Sequence, residues 1–122
     1  MTNEGKSQNR RFDLEERTSK FGENIIRFCA KVPRNVITNP LITQLVRCGT
    51  SVGANYSEAD DAESKLDFRH KIGICKKEAR ESKHFIKMIA VAFPEAQEEC
   101  KMLWQEVKEL NLIFNKIYQK LK

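Results

Sequence analysis

Apolar residues recur along this chain in alternating steps of three and four, in four separate runs. Leu14, Phe21, Ile25, Phe28 and Val32 form the first, with Thr18 keeping the register. Ile42, Leu45, Gly49, Val52, Tyr56 and Ala59 form the second. Phe68, Ile72, Cys75, Ala79, Ser82, Ile86, Ile89 and Phe93 form the third. Ala96, Cys100, Leu103, Val107, Leu110, Phe114, Ile117 and Leu121 form the fourth. Such steps put side chains on one face of a helix. Their strict alternation averages about 3.5 residues, the period of helices that supercoil left-handedly around one another. No stretch alternates convincingly at period two, as a half-buried strand would. The pattern predicts an all-α chain. Short connections force neighbours to run antiparallel, so the expected architecture is an up-down-up-down four-helix bundle.

Local signals bound the helices. Residues 1–11 are polar and basic and are expected to form a disordered tail, leaving residues 12–122 as the bundle domain. Asp13 is a plausible first N-cap, and Pro33 ends the first helix. Asn39 followed by Pro40 reads as an N-cap with proline at the first helical position. The second helix is expected to end around Asp61 to Glu63. Ser64 and Asp67 resemble a capping box for the third, Phe93-Pro94 closes the third, and Pro94 can open the fourth. The last two helices span about 27 residues each, roughly 40 Å.

Gly49 and Gly53 interrupt nothing, because the second run passes straight through them. Each costs a helix about 1 kcal/mol relative to alanine. Two on one face therefore predict a close approach by another backbone. Thr50 and Ser51 beside them have no neighbouring histidine to activate a hydroxyl, and the segment lacks the lysine and preceding strand of a phosphate loop. The fourth helix carries apolar residues off its stripe, at Met102, Trp104, Leu112, Ile113 and Tyr118. That excess predicts a second buried face, and so self-association.

Composition narrows the function. The chain has 122 residues, 40% hydrophobic and 32% charged, with three prolines and a net charge of +5. No apolar run reaches the ~18–20 residues of a membrane span, and the N-terminus has no signal-peptide core. A cytoplasmic protein is expected, with Cys29, Cys48, Cys75 and Cys100 as buried free thiols. His70 and His84 stand about 21 Å apart along one helix and cannot share a metal. No set of acid, base and nucleophile can be assembled, so neither an enzyme nor a cofactor is expected. The acidic run from Glu58 to Glu63 suits its place before the third helix and is weak evidence for a cation site.

Two basic stripes remain. Arg17, Lys20, Arg27, Lys31 and Arg34 share one face of the first helix. Arg69, Lys76, Arg80, Lys83 and Lys87 share one face of the third. Either is a solvated surface laced with salt bridges or a track for phosphates, which positions a protein on RNA or DNA without reading sequence.

The segment Arg47 to Ala59, with Gly-Thr-Ser-Val-Gly-Ala-Asn at residues 49–55, resembles a bacterial four-helix bundle family. Its members include proteins encoded within intervening sequences of 23S ribosomal RNA genes. The resemblance covers roughly residues 12–122. Arg47, Gly49, Thr50, Ser51, Gly53, Asn55, Tyr56 and Glu58 match its signature, as do Phe68, Lys76, Glu78, Ala79 and Glu81. A similar bundle is the accessory variability determinant of diversity-generating retroelements, which assists a reverse transcriptase and its RNA. The resemblance implies a homopentamer, nucleic-acid association for some members, and an otherwise undefined activity. A scaffold for a partner protein such as a polymerase is the alternative it leaves open. The chain departs from its relatives at Asp60 and Asp61, which weakens any nucleic-acid contact at that end.

Overall fold

The computed structural model describes the backbone of residues 3–121 and the side chains of residues 14–121. Four helices follow in order: α1 Asn3–Lys31, α2 Thr38–Asp60, α3 Lys65–Ala92 and α4 Gln97–Lys120. A single turn of 3-10 helix, Pro94–Ala96, precedes α4, and no strand occurs among the described residues. No helix among them is long and apolar enough to cross a membrane.

Each stripe of the sequence is the buried face of its helix. Phe21, Ile25, Leu45, Val52, Ile72, Ile86, Ile89, Val107, Leu110 and Phe114 are inaccessible and belong to one core. Phe68, Phe93, Ala96 and Ile117 close its ends and are only partly covered. Thr18 and Ser82 are polar yet buried on the stripes. Both satisfy their hydroxyls within their own helix, Thr18 Oγ1 donating to the Glu15 carbonyl at 3.2 Å and Ser82 Oγ to that of Glu78 at 2.8 Å.

The helices pack in a ring of neighbours, α1 on α2, α2 on α3, α3 on α4 and α4 back on α1. Facing residues descend in one helix as they ascend in the next. Thr18 and Ile25 of α1 lie against Gly53 and Gly49 of α2. Arg47 and Glu58 of α2 pair with Glu81 and Lys71 of α3. Arg69 and Lys83 of α3 lie over Tyr118 and Trp104 of α4. Arg17 and Lys31 of α1 pair with Glu106 and Glu99 of α4.

Three boundaries differ from the sequence reading. Helix α1 begins at Asn3 rather than near Asp13, so its backbone takes in residues 3–11 of the expected tail. A nucleated helix propagates through polar residues at little cost, and no proline precedes Pro33. Met1 and Thr2 lie outside the described residues. Helix α2 starts at Thr38, one residue before the expected cap. Ile37 at the cap position makes no side-chain cap bond; Asn35 before it takes over, its Oδ1 accepting from the backbone N–H of Ile37 and of Thr38, each at 2.9 Å. Pro40 still lies in the first turn, where its missing N–H costs nothing. Pro94 opens the 3-10 turn instead of α4 itself. The capping box of α3 forms as expected, Ser64 Oγ accepting from Asp67 N–H at 3.0 Å.

All four cysteines are free and buried. Burial pushes their thiols up, to about 12 at Cys75 and about 11 at Cys29 and Cys100, and upward at Cys48. Each is a protonated packing group at neutral pH rather than a nucleophile.

Candidate nucleic-acid interface

The glycine segment is a seam. A Cβ at Gly53 would stand 3.2 Å from the backbone C and O of Thr18, and one at Gly49 3.0 Å from two carbons of Ile25. The hydroxyls nearby are occupied within α2. Ser51 Oγ donates to the Arg47 carbonyl at 2.6 Å and Thr50 Oγ1 to that of Val46 at 2.6 Å. Asn55 Nδ2 donates to the Ser51 carbonyl at 2.8 Å, and Tyr56 is buried with its ring 6.3 Å from that of Phe114. Close packing of α1 on α2 accounts for the two glycines of this signature.

The two basic stripes have different surroundings. On α1, Arg17 holds Glu106 with two parallel bonds, Nε to Oε2 at 3.1 Å and Nη2 to Oε1 at 2.6 Å, and reaches Glu109 at 4.0 Å. Lys31 pairs with Glu99 at 2.9 Å, and Arg27 with Glu23 at 3.2 Å. Lys20 is exposed and enters no ion pair among the described residues; the same holds for Arg34, which is not on α1 as expected but beyond its end, in the connection to α2, because α1 stops at Lys31 before Pro33. Most of this stripe clamps α1 onto α4 or pairs within α1.

On α3 no cation of the stripe meets a carboxylate among the described residues. The guanidinium of Arg69 lies 3.8 Å above the Tyr118 ring, and the Lys76 ammonium 4.2 Å from the same centroid. Lys83 and Lys87 stand 5.9 and 5.4 Å from the Trp104 centroid, joined by Lys108 of α4 at 5.4 Å. Arg80 is exposed beside them. A groove of about 490 Å³ runs between the two rings, lined by Gly73, Lys76, Lys77, Arg80, Lys83, Asn111 and Asn115. The Asn111 amide donates to the Lys76 carbonyl at 3.0 Å, fixing the groove wall. Gly73 lets the Tyr118 ring lie against α3, because a Cβ there would stand 3.2 Å from the ring edge. The acids of α3 point elsewhere. Buried Glu78 and Glu81 both bind Arg47 of α2, Glu78 at 3.3 Å, and the Glu81 bond pushes the Arg47 pKa above its usual value.

The difference comes from α4. Its residues just before the core positions, Glu99, Glu106 and Glu109, meet the basic flank of α1. The residues just after them, Trp104, Lys108, Asn111, Asn115 and Tyr118, meet the basic flank of α3. Opposite charge answers one stripe, and rings, amides and a further cation answer the other. Sequence reading gave both stripes equal standing and left out Trp104, Lys108, Asn111, Asn115 and Tyr118. The signal was there: all five repeat the three-and-four spacing one position beyond the core stripe of α4. Trp104 and Tyr118, taken as excess apolar surface, pack partly buried against the core together with Ile113. Met102 at 73% and Leu112 at 54% exposure are what remains open of that set.

No curated protein matches this chain in sequence. A solved structure resembles it closely, a protein of unknown function from the S23 ribosomal protein family of Bacteroides thetaiotaomicron VPI-5482. The two share 25% identity and a TM-score of 0.76, over 86% of this chain and 97% of the other. The model of the 23S rRNA-intervening sequence protein family matches residues 10–122. This chain therefore belongs to the 23S rRNA-intervening sequence protein family.

Proposed function

We propose that this protein is a non-enzymatic, oligomeric up-down-up-down bundle of the cytoplasm that binds RNA or DNA through the α3/α4 face, by charge rather than by sequence. One observation carries the reading: the α3 stripe and Lys108 form a run of cations with no acidic partner among the described residues. Each phosphate such a cation contacts releases condensed counterions, so binding weakens steeply as salt rises. The α1 stripe is a poorer candidate, since Arg17, Arg27 and Lys31 are already paired. The antiparallel topology is supported by the opposed order of facing residues and by matching flanks, since only helices of opposite direction turn the same side of their core stripes toward each other. In a ring of five, the assembly the family resemblance implies, five charges of +5 make about +25, which strengthens attraction for a polyanion.

The test is binding of a labelled structured RNA across a salt series, with a Lys83→Glu, Lys87→Glu double variant and Lys20→Glu as control. The expected result is tight binding at low salt that falls with salt, is lost in the α3 variant and survives in the α1 control. Affinity absent at low salt, or indifferent to salt, would overturn the reading.

A second reading, an accessory scaffold for a protein such as a polymerase, draws on the exposed apolar residues Val36 and Ile37 of the α1–α2 connection and Val91 at the C-terminal end of α3. A partner retained in a pull-down after nuclease treatment, and lost with Val36→Asp, would favour it.

A further inference from the structure

Within the nucleic-acid reading, the two aromatic rings that flank the groove, Tyr118 beside Lys76 and Trp104 beside Lys83, do different work, and the difference specifies the form of the ligand. Tyr118 is a closed stack. Arg69 covers it at 3.8 Å, and the Arg69 Nε is buried with no acceptor, so the guanidinium is held by the ring rather than by a hydrogen bond. Trp104 is an open one. Its three ammonium groups stand 5.4–5.9 Å from the centroid, near the ~6 Å limit of a cation–π contact. All three are lysines, point charges on flexible stems, with no carboxylate among the described residues to hold them in place. The indole is half-buried, and its Nε1 has no acceptor among the described residues, so packing holds the ring.

We propose that the α3/α4 face takes single-stranded nucleic acid, with the strand along the groove and, at its Trp104 end, one unpaired base stacked on the indole and the flanking phosphates on Lys83, Lys87 and Lys108. A phosphate draws the lysines off the ring face, and the vacated face meets the base. Both exchanges favour an unpaired strand, because a duplex keeps its base faces stacked on one another and offers the groove only phosphates and edges. The proposal rests on the nucleic-acid reading and deepens it. The distance from Trp104 to Tyr118, fourteen residues of α4 and so about 21 Å, suits a few nucleotides of extended strand. That is the small end of the ~4–16 nucleotide footprints of aromatic-lined grooves. Asn111 and Asn115 lie between the rings and can serve base edges of either hydrogen-bonding sense.

Trp104 is the single tryptophan of the chain, so its fluorescence reports this end of the α3/α4 face alone. The experiment titrates the full chain at low salt with oligothymidine of about ten nucleotides, and with a duplex of the same length. The single strand is expected to quench the emission, the mark of ring-on-ring stacking, and the duplex to bind more weakly and leave the emission unquenched. Trp104→Leu is expected to weaken single-strand binding about 5- to 150-fold, as loss of one stacked base should, and to leave duplex binding within about twofold. Trp104→Phe keeps a ring and restores most of the affinity, which separates stacking from any loss of folding seen in the melting curve. Equal binding of both ligands without quenching would overturn this inference and leave the charge-driven reading intact. Binding of neither ligand at low salt would overturn both.

Discussion

Gly22 and Gly53 occupy the same α1–α2 seam and have opposite reasons to be there. A Cβ at Gly22 would meet Thr50 Cα at 3.5 Å, an ordinary contact, whereas one at Gly53 would press on the Thr18 backbone at 3.2 Å. Backbone cannot swing aside as a side chain can. Gly22→Ala should therefore stabilise the protein by roughly 0.5–1 kcal/mol, the propensity difference of an interior helical position. Gly53→Leu should cost about 1–3 kcal/mol by overpacking. Thermal or urea unfolding of the two variants beside the parent measures both, and a Gly53→Leu protein with an unchanged midpoint would remove the close-approach account. Gly49 and Gly53 were legible because periodicity ran through them, and Gly22 was not read at all. That only Gly53 meets backbone, while Gly49 faces the Ile25 side chain, was not legible, since this depends on how far α1 is rotated about its own axis. Asn35 was missed for a related reason: its side chain caps residues two and three ahead, while attention falls on the Asn39–Pro40 pair that matches a familiar pattern.

Flanks rather than stripes decide what each pair of helices does. The core positions gave all four helices from spacing alone, because burial imposes the period. The residues on either side of a stripe follow no such rule until it is known which neighbour they face. Once α4 is set between α1 and α3, its acidic flank neutralises one basic stripe and its aromatic flank leaves the other charged. The α2–α3 contact is a third arrangement. Arg47 spans from α2 to Glu78 and Glu81, and Glu78 is 93% removed from solvent, with Arg47 its ion-pair partner. Arg47→Ala should then cost about 1–3 kcal/mol, the penalty for a buried polar group left unpaired, with more to come if the carboxylate stays charged. Glu78→Gln in the same background should recover a good part of that loss, since a neutral amide is cheaper to bury than a lone carboxylate. A double-mutant cycle in urea reads the coupling, and strict additivity would mean that the pair contributes nothing to the packing of α2 on α3.

For the whole molecule, the unbalanced α3/α4 face is a cost carried by the free protein. Cations gathered around one ring repel one another, and Lys83, Lys87 and Lys108 around the Trp104 indole have no acid among the described residues to offset this. The fold tolerates the charge because the core is laid down elsewhere, by stripes that none of these residues occupy. A surface that destabilises the free state and attracts phosphate links stability to occupancy. Any ligand that binds only the folded chain raises its stability, by about 2.7 kcal/mol at 100 times the dissociation constant. For a domain of this size that moves the melting midpoint by several degrees. A polyanion such as heparin or oligothymidine should thus raise the midpoint at low salt, and added salt should erase the gain by screening and counterion competition. The Lys83→Glu, Lys87→Glu variant should melt no lower than the parent when alone, because two repulsive charges are gone, yet show almost none of the polyanion shift. Loss of stability in that variant would mean the lysines serve the fold. A shift retained at full size would place the polyanion on another surface, with the exposed Lys20 and Arg34 of the α1 side as the next to test.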